Sequence, residues 1–270
     1  TNNTVSNNNN HGILLQEGSN NTFTKNRIQN NGVHGILFER LSNIFNNTIS
    51  ENIISNNNDY GICLDGYNGL DIRGNHNISG NIIKFNGIHG IYSFYSPYNF
   101  FSNNTIFSNN NDGIHIQYGD NSIISGNNIT DNINGIYYDR CDYNTITKNI
   151  FKNNEYGIKI YCGSTQDSSK NNIITENNFI GNTLYGLLID TRCNYNSIYI
   201  NNFIGNTINA YDYGNNNDWD NGSLGNYWSD YSGDDANDDG IGDSVYDVPP
   251  IGGSVDNYPI WEDGDDIPPN

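Results

Sequence analysis

The chain has 270 residues, 34% of them hydrophobic and 15% charged, and almost all the charge is acidic, giving a net −19. Such a surface argues against nucleic acid and anionic membrane as partners and favours cations, or glycans met through aromatic and amide groups. No 18-residue apolar run is present to span a bilayer, and the apolar fraction is low for a globular core but sufficient for a solenoid, whose core is a column one coil wide.

Residues 1–9 read as the tail end of a coil. With no Met and no leader segment, this predicts a processed product or an excised piece. Residues 10–206 carry a repeat. A Gly-apolar step recurs at Gly12, Gly35, Gly61, Gly90, Gly113, Gly135, Gly157 and Gly186, with Ala210 expected to hold that place in the ninth copy. Six or seven residues earlier stands an apolar residue: Val5, Ile28, Ile54, Ile83, Ile106, Ile129, Phe151, Phe179 or Phe203. Two residues before each of these is Asn, from Asn3 to Asn201, and three residues after is Asn again, from Asn8 to Asn206. The unit is clearest in Asn144–Ile160, where Ile146, Phe151, Ile158 and Ile160 point inward, Asn149 and Asn154 sit at bends, and Gly157 opens a third strand.

A period of 21 to 29 residues is one coil of a solenoid, and no segment has a helical period. The pattern predicts an all-β chain: a right-handed parallel β-helix of about nine coils with three strands each, over residues 1–213. Coils rise about 4.8 Å apart, a rod of roughly 43 Å. Identical residues then stack, and Asn149 meets Asn127 and Asn177 in a hydrogen-bonded ladder. From 214 to 270 the pattern breaks into an irregular Asp/Trp-rich C-terminal cap, with Trp219, Tyr227, Trp228 and Trp261 as its apolar lid.

On the third strand, the residue between the two inward positions faces out. That column reads Leu14, Leu37, Cys63, Tyr92, His115, Tyr137, Lys159, Leu188, and beside it run His11, His34, Tyr60, His89, Asp112, Asn134, Tyr156, Tyr185. This gathers His and Tyr on one face, either as a sugar- or protein-binding strip or as aromatic residues that merely suit a sheet. The connection after this strand is longest after Gly61 and Gly157, where binding loops are expected.

Among the four cysteines, Cys141, Cys162 and Cys193 fall in successive coils, so one pair among them is expected to bridge, leaving Cys63 unpaired, as an oxidising exterior allows. Asn-x-Ser/Thr sequons at Asn2, Asn20, Asn46, Asn77, Asn103, Asn128 and Asn221 suit a secreted glycoprotein, although an Asn-Thr repeat generates them by chance.

Asp235, Asn237, Asp239 and Asp243, with Gly240 at the sixth position and the Ile241 carbonyl at the seventh, form the first part of an EF-hand-type loop, so calcium is the expected cofactor. Tyr246 stands where the bidentate Glu belongs. Candidate catalytic carboxylates are Glu39, Asp65, Asp139 and Asp190 at a coil corner, with Arg40, Arg140 and Arg192 nearby. Glu39 and Asp65 on adjacent coils have backbones about 5 Å apart, near a retaining-glycosidase separation. Arg140 with an acid and calcium suits a polysaccharide lyase instead. The same four are equally ordinary surface charges.

The Asn-Thr-Ile, Asn-x-Ile and Asn-x-x-Gly-Ile steps resemble NosD-like repeats, within the carbohydrate-binding and sugar-hydrolase β-helix proteins. The tail Trp219-Asp220-Asn221-Gly222, Gly225 to Tyr231, Asp239 to Asp243 and Asp256-Asn257-Tyr258-Pro259 is similar to secreted surface proteins of methanogenic archaea. The resemblance implies a secreted, calcium-associated, cell-surface β-helix without fixing one activity. Some members have a proposed role in maturing a copper enzyme, but no Met and no Cys/His cluster at ligand spacing supports that here. The expected function is an extracellular structural or adhesion module, with copies of itself or adjoining domains covering the first coil end to end, and a glycan-binding face; the alternative is a polysaccharide lyase or glycoside hydrolase.

Overall fold

The computed structural model describes residues 1–39, 44–66, 74–163, 169–250 and 253–261. Three parallel sheets enclose one core. The first has ten strands, from Thr4–Ser6 to Asn202–Ile204 and finally Tyr227–Trp228. The second has nine, from Ile13–Leu15 to Ile208–Asp212, and the third eight, from Thr22–Thr24 to Ser197–Tyr199. A coil is one strand of each, as in Thr145–Thr147, Ile150–Lys152 and Tyr156–Tyr161. No helix occurs among the described residues.

Strands this short hold no fixed register on their own, so the side chains set it. Inward residues pair like with like up each sheet: Ile36 with Ile62, Ile62 with Ile91, Ile91 with Ile114. Ile146, Phe151, Ile158 and Ile160 are 0% exposed, as the alternation requires. Phe151, Phe179 and Phe203 stack at 5.1 and 4.7 Å.

The Asn columns do the rest. The Asn149 carboxamide oxygen accepts the Asn127 backbone N–H at 2.9 Å and the Asn127 side-chain amide at 2.9 Å. Its own amide donates to Asn177 Oδ1, to the Ile124 carbonyl and to the Thr147 carbonyl. Every ladder amide thus caps backbone groups that turn away from the sheet at each corner, which burial would otherwise leave orphaned. A second ladder runs through Asn132, Asn154 and Asn182. A third, which the sequence reading did not isolate, runs through Asn47, His76, Asn99, Ser122, Asn144, Asn172 and Asn196. There burial holds His76 neutral, its ordinary value lowered to about 4, and its Nδ1 accepts the Asn47 N–H in place of an amide oxygen.

Two register expectations shift. The left-handed bend residues are Lys148 and Asn153, at φ 57° and 55°, each one place before the Asn assigned to the bend. Asn149 and Asn154 are fully buried instead, because their side chains serve the ladder. Ala210 pairs with Leu187, so Asn209 and not Ala210 holds the ninth glycine position. Glycine is needed lower down: a Cβ on Gly61 would lie 2.6 Å from the Gly90 carbonyl oxygen and 2.7 Å from Ile83 Cγ2. Among the described residues sheet two has no further strand above Asn209, whose amide instead reaches Asp230 at 2.7 Å.

The cap seals the column with two indoles. Trp228 stacks on Phe203 at 4.5 Å and Trp219 lies 5.7 Å from Trp228; both are buried. Each indole N–H finds a buried carboxylate, Trp219 to Asp212 at 3.0 Å and Trp228 to Asp256 at 2.9 Å. Tyr246, rather than Tyr227, completes the lid by stacking on Trp228 at 4.1 Å, while Trp261 meets Tyr231 edge-on at 5.9 Å. The disulfide joins Cys162 to Cys193, and Cys63 and Cys141 are buried outside that bridge.

Asn149→Ala strips two buried donors of their acceptor and two carbonyls of a donor. The expected cost is at least ~2 kcal/mol, read as a lower urea midpoint; a midpoint equal to the parent's would show that the ladder adds no stability.

Candidate active site

Sheet two carries the site on its outer face. The strand after each glycine alternates, so the second residue past the glycine projects outward, and the residue before the glycine lies at the corner, where it stacks in a neighbouring column. The corner column stacks ring on ring: His11 to His34 at 4.9 Å, His34 to Tyr60 at 4.7 Å, Tyr60 to His89 at 5.3 Å. Tyr92, His115 and Tyr137 continue alongside, at 5.2 and 4.8 Å between successive rings. Tyr156 and Tyr185 form a separate stack at 5.5 Å. Leu37 and Cys63, expected to face out, are 6% and 3% exposed.

Stacking along the rod changes what the strip offers. The ring faces are spent on one another, so solvent meets mainly edges: imidazole nitrogens and phenol hydroxyls rather than platforms for sugar rings. Burial, then the neighbouring His11, lowers the His34 imidazole to about 4, so it is neutral at pH 7. Burial lowers His11 as well.

The strip is broken at Asp112 and Asn134, which stand where the other coils carry rings, and there an open cleft of about 440 Å³ appears. The Asp112 carboxylate is 2% exposed and heavily engaged. Oδ2 lies 2.7 Å from His115 Nδ1 and 3.1 Å from His89 Nδ1, and Oδ1 accepts the Asn134 amide at 2.6 Å. Burial pushes the carboxyl up, but its contacts with His115, His89 and Asn134 outweigh it and hold Asp112 at about 2. An ionised Asp112 fixes the His115 proton on Nδ1, which turns the Nε2 lone pair away from the carboxylate.

Further polar groups line the cleft or stand beside it. Burial, followed by Asp139 and Tyr161, pushes the Tyr137 hydroxyl well up, so it stays a proton donor. Lys159 Nζ lies 5.8 Å from the Tyr137 ring centre and 5.0 Å from that of Tyr156. Gln117 donates to Asp139 Oδ2 at 2.6 Å, while Asp139 Oδ1 and Asn134 Oδ1 are buried without a hydrogen bond.

Of the four carboxylates singled out earlier, only Asp139 lines this cleft. Glu39 and Asp65 line a separate small crevice with Phe38 and His76, and Glu39 accepts from Gln16 at 2.8 Å. Asp190 holds the Thr191 N–H at 2.7 Å. Arg40 and parts of both long loops, 67–73 and 164–168, lie outside the described residues. In the sequence Asp112 is one member of a column, and the signal that marks it is the Asp112-x-x-His115 spacing at the entry to the strand Ile114–Gln117.

The acidic loop in the cap folds around Asp235, whose carboxylate accepts the N–H groups of Asp238, Asp239 and Gly240. Asp243 Oδ2 accepts the Ala236 N–H, and Asn237 donates to Asp239 Oδ2. Among the described residues, the trio of potential ligands that converges within 4.8 Å is His89, Asp112 and His115, not these carboxylates.

Because Asp112 is held well below its unfolded value of 3.8, its ionised form adds stability above about pH 4, and that is lost as pH falls toward 2. The wild-type melting temperature should therefore fall more steeply between pH 5 and 2, equivalent to roughly 2 kcal/mol, than that of Asp112→Asn. Parallel profiles would show that the carboxylate is not so held.

Sequence and structure comparisons fit this architecture. A family model described as "Right handed beta helix region" matches residues 1–76 and 53–208. A probable ABC transporter binding protein NosD from Stutzerimonas stutzeri is 31% identical over 104 residues, 38% of this chain and 17% of that protein. The A-module of a mannuronan C-5 epimerase from Azotobacter vinelandii has TM-score 0.64 at 15% identity, over 76% of this chain and 57% of that one. A periplasmic alginate epimerase has TM-score 0.54 at 19% identity, over 79% and 51%. A tailspike protein of bacteriophage CBA120, in its enzymatically active domain, has TM-score 0.55 at 11% identity, over 81% and 37%. The chain thus spans under a fifth of the curated relative and 37 to 57% of these solved chains. With the repeat, the three parallel sheets and a family match across 1–208, this chain belongs to the right-handed β-helix family.

Proposed function

We propose that the chain processes a polysaccharide containing uronic acid, outside the cytoplasm, by abstracting the proton beside the sugar carboxylate. The observation that carries this is Asp112 gripping His115 in the cleft, 2.7 Å apart. His115 Nε2 takes the C5 proton, the bonding pair moves into the carboxylate, and Lys159 offsets the charge that develops there. A phenol from Tyr137 or Tyr92 returns a proton. Delivery to the opposite face of C5 is epimerisation; departure of the O4 substituent, protonated by the same phenol, is lyase cleavage. The fold shared with two epimerases of alginate and a tailspike supports a carbohydrate role, and the Cys162–Cys193 bridge supports an extracellular or periplasmic setting.

The net −19 opposes a polyanion, but beyond roughly 8–10 Å that field is screened, whereas Lys159 Nζ lies 5.8 Å from the ring of Tyr137, which lines the cleft. We favour this reading over glycoside hydrolysis because, of the two carboxylates in the cleft, Asp112 and Asp139, the first is already engaged by His115 and Asn134. We favour it also over a structural or adhesion role with end-to-end assembly. The regular register supports that role, but it has no use for a buried carboxylate shared between two imidazoles.

Incubating the chain with alginate, pectate and other polyuronates should give either unsaturated ends, read by ultraviolet absorbance, or inverted residues, read by proton NMR. His115→Ala should lower the rate about 10²–10⁴-fold. No turnover on any polyuronate, or full turnover in His115→Ala, would remove the proposal.

We also propose that Asp235, Asn237, Asp239, Asp243 and the Ile241 carbonyl take a calcium ion, on the strength of their oxygen chemistry and spacing. Chelation should then lower the melting temperature, with the Trp signals of the cap changing first. Calorimetry that detects no calcium uptake at millimolar concentrations counts against it.

A further inference from the structure

We propose that His89, Asp112 and His115 form a binding site for a divalent transition-metal ion, and that the ion silences the base in the cleft. The three side chains each offer a ligand atom, and these atoms lie within 4.8 Å of one another. Two imidazoles and a carboxylate are the donor set of zinc and its neighbours, not of calcium or magnesium.

The hydrogen bonding in the cleft leaves one contact without a satisfactory proton arrangement. His89 Nδ1 accepts the backbone N–H of Asp112 at 3.2 Å, so its lone pair points toward Asp112. The same nitrogen lies 3.1 Å from Asp112 Oδ2, an acceptor facing an acceptor. One nitrogen cannot both accept from the amide and donate to the carboxylate. A cation taking the His89 Nδ1 lone pair turns this nitrogen and Asp112 Oδ2 from opposed acceptors into two ligands, in exchange for the Asp112 N–H contact, and His115 Nδ1, 2.7 Å from the same oxygen, closes the third side.

The fit needs little movement. Ligands at about 2.0–2.2 Å in a tetrahedral shell lie roughly 3.3 Å apart, against 2.7 and 3.1 Å here, so the side chains open by a few tenths of an ångström. The Asn134 amide holds Asp112 Oδ1 at 2.6 Å and so supports the carboxylate from behind. On binding, the proton on His115 Nδ1 moves to Nε2 with no net change in protonation. Nε2 then carries a hydrogen and no longer accepts one. The inference about the ion stands apart from the carbohydrate reading; only its inhibitory effect rests on it.

The test is calorimetry of the full, dialysed chain with Zn²⁺, in excess calcium so that the acidic loop is already occupied. One saturable site is expected, weakened at least about tenfold in His89→Gln and in His115→Ala, with Glu39→Gln as a control that leaves it unchanged. His89→Gln keeps an acceptor for the Asp112 N–H, and an unchanged urea midpoint shows that the coil is intact. Co²⁺ should give the visible absorption of a tetrahedral site, lost in the same variants. Zinc uptake unchanged in both variants, or none above the control, overturns the site. Turnover without zinc binding would leave the carbohydrate reading standing and remove this one, and zinc binding without turnover would do the reverse.

Discussion

The structure depends on one interaction, the stacked carboxamide. A strand of three residues makes too few hydrogen bonds to define its neighbour, and a corner every few residues leaves backbone groups without partners. An Asn at each corner answers both problems at once. Its oxygen takes the backbone and side-chain N–H of the coil before, as Asn149 does for Asn127, and its amide satisfies carbonyls on either side. An aliphatic residue of similar volume would bury equally well and satisfy nothing. This is why so polar a chain, with 34% hydrophobic residues, builds an ordered core.

The ladder also decides where the chain is free to vary. Inward positions are held by Ile and Phe columns, glycine positions by the carbonyl of the next coil, and corner positions by the amides. Outward positions on sheet two are under none of these constraints. There the side chains stack within their own column and against the one beside it, as Tyr60 does on Tyr92 at 4.9 Å, so replacing one ring by a carboxylate disturbs neighbouring rings and not the core. Asp112 is such a replacement. The His115 ring and the Asn134 amide convert it from a buried liability into an anchored ion.

Periodicity made the fold legible. Ile146, Phe151, Ile158 and Ile160 follow from alternation alone, and the Asn127–Asn149–Asn177 ladder from identical spacing in successive coils. What stayed hidden has a physical reason in each case. Lys148 and Asn153 take the left-handed bends because burial claims the Asn that follows each, and composition cannot reveal which of two neighbours turns inward. The third ladder was masked by His76 and Ser122, which keep its hydrogen bonding while breaking its letters. Ala210 was misplaced because its small side chain imitates glycine, whereas the real constraint, the carbonyl of a next coil, is absent above Asn209.

The site was half legible for a related reason. A search for catalytic groups in sequence favours exposed acids at loop ends, which gave Glu39, Asp65 and Asp190. The solenoid places its chemistry differently. His89 and Asp112 are 23 residues apart yet in contact, because one coil separates them. In such a fold the proper neighbour list of a residue is its column, and a functional residue shows itself as the member that departs from its column. Asp112 and Asn134 interrupt a run of His and Tyr; His76 interrupts a run of Asn. The two interruptions differ in what they leave unmet. His76 Nδ1 has its amide donor and stands among apolar neighbours, including the Phe38 edge at 5.2 Å, so it serves the fold. Asp112 leaves an acceptor of His89 facing its own carboxylate, beside a buried and unpartnered Asn134 oxygen. A fold that satisfies nearly every other corner group with an amide tolerates this frustration at one point on its surface, and that is where an external proton, sugar or metal ion has the most free energy to contribute.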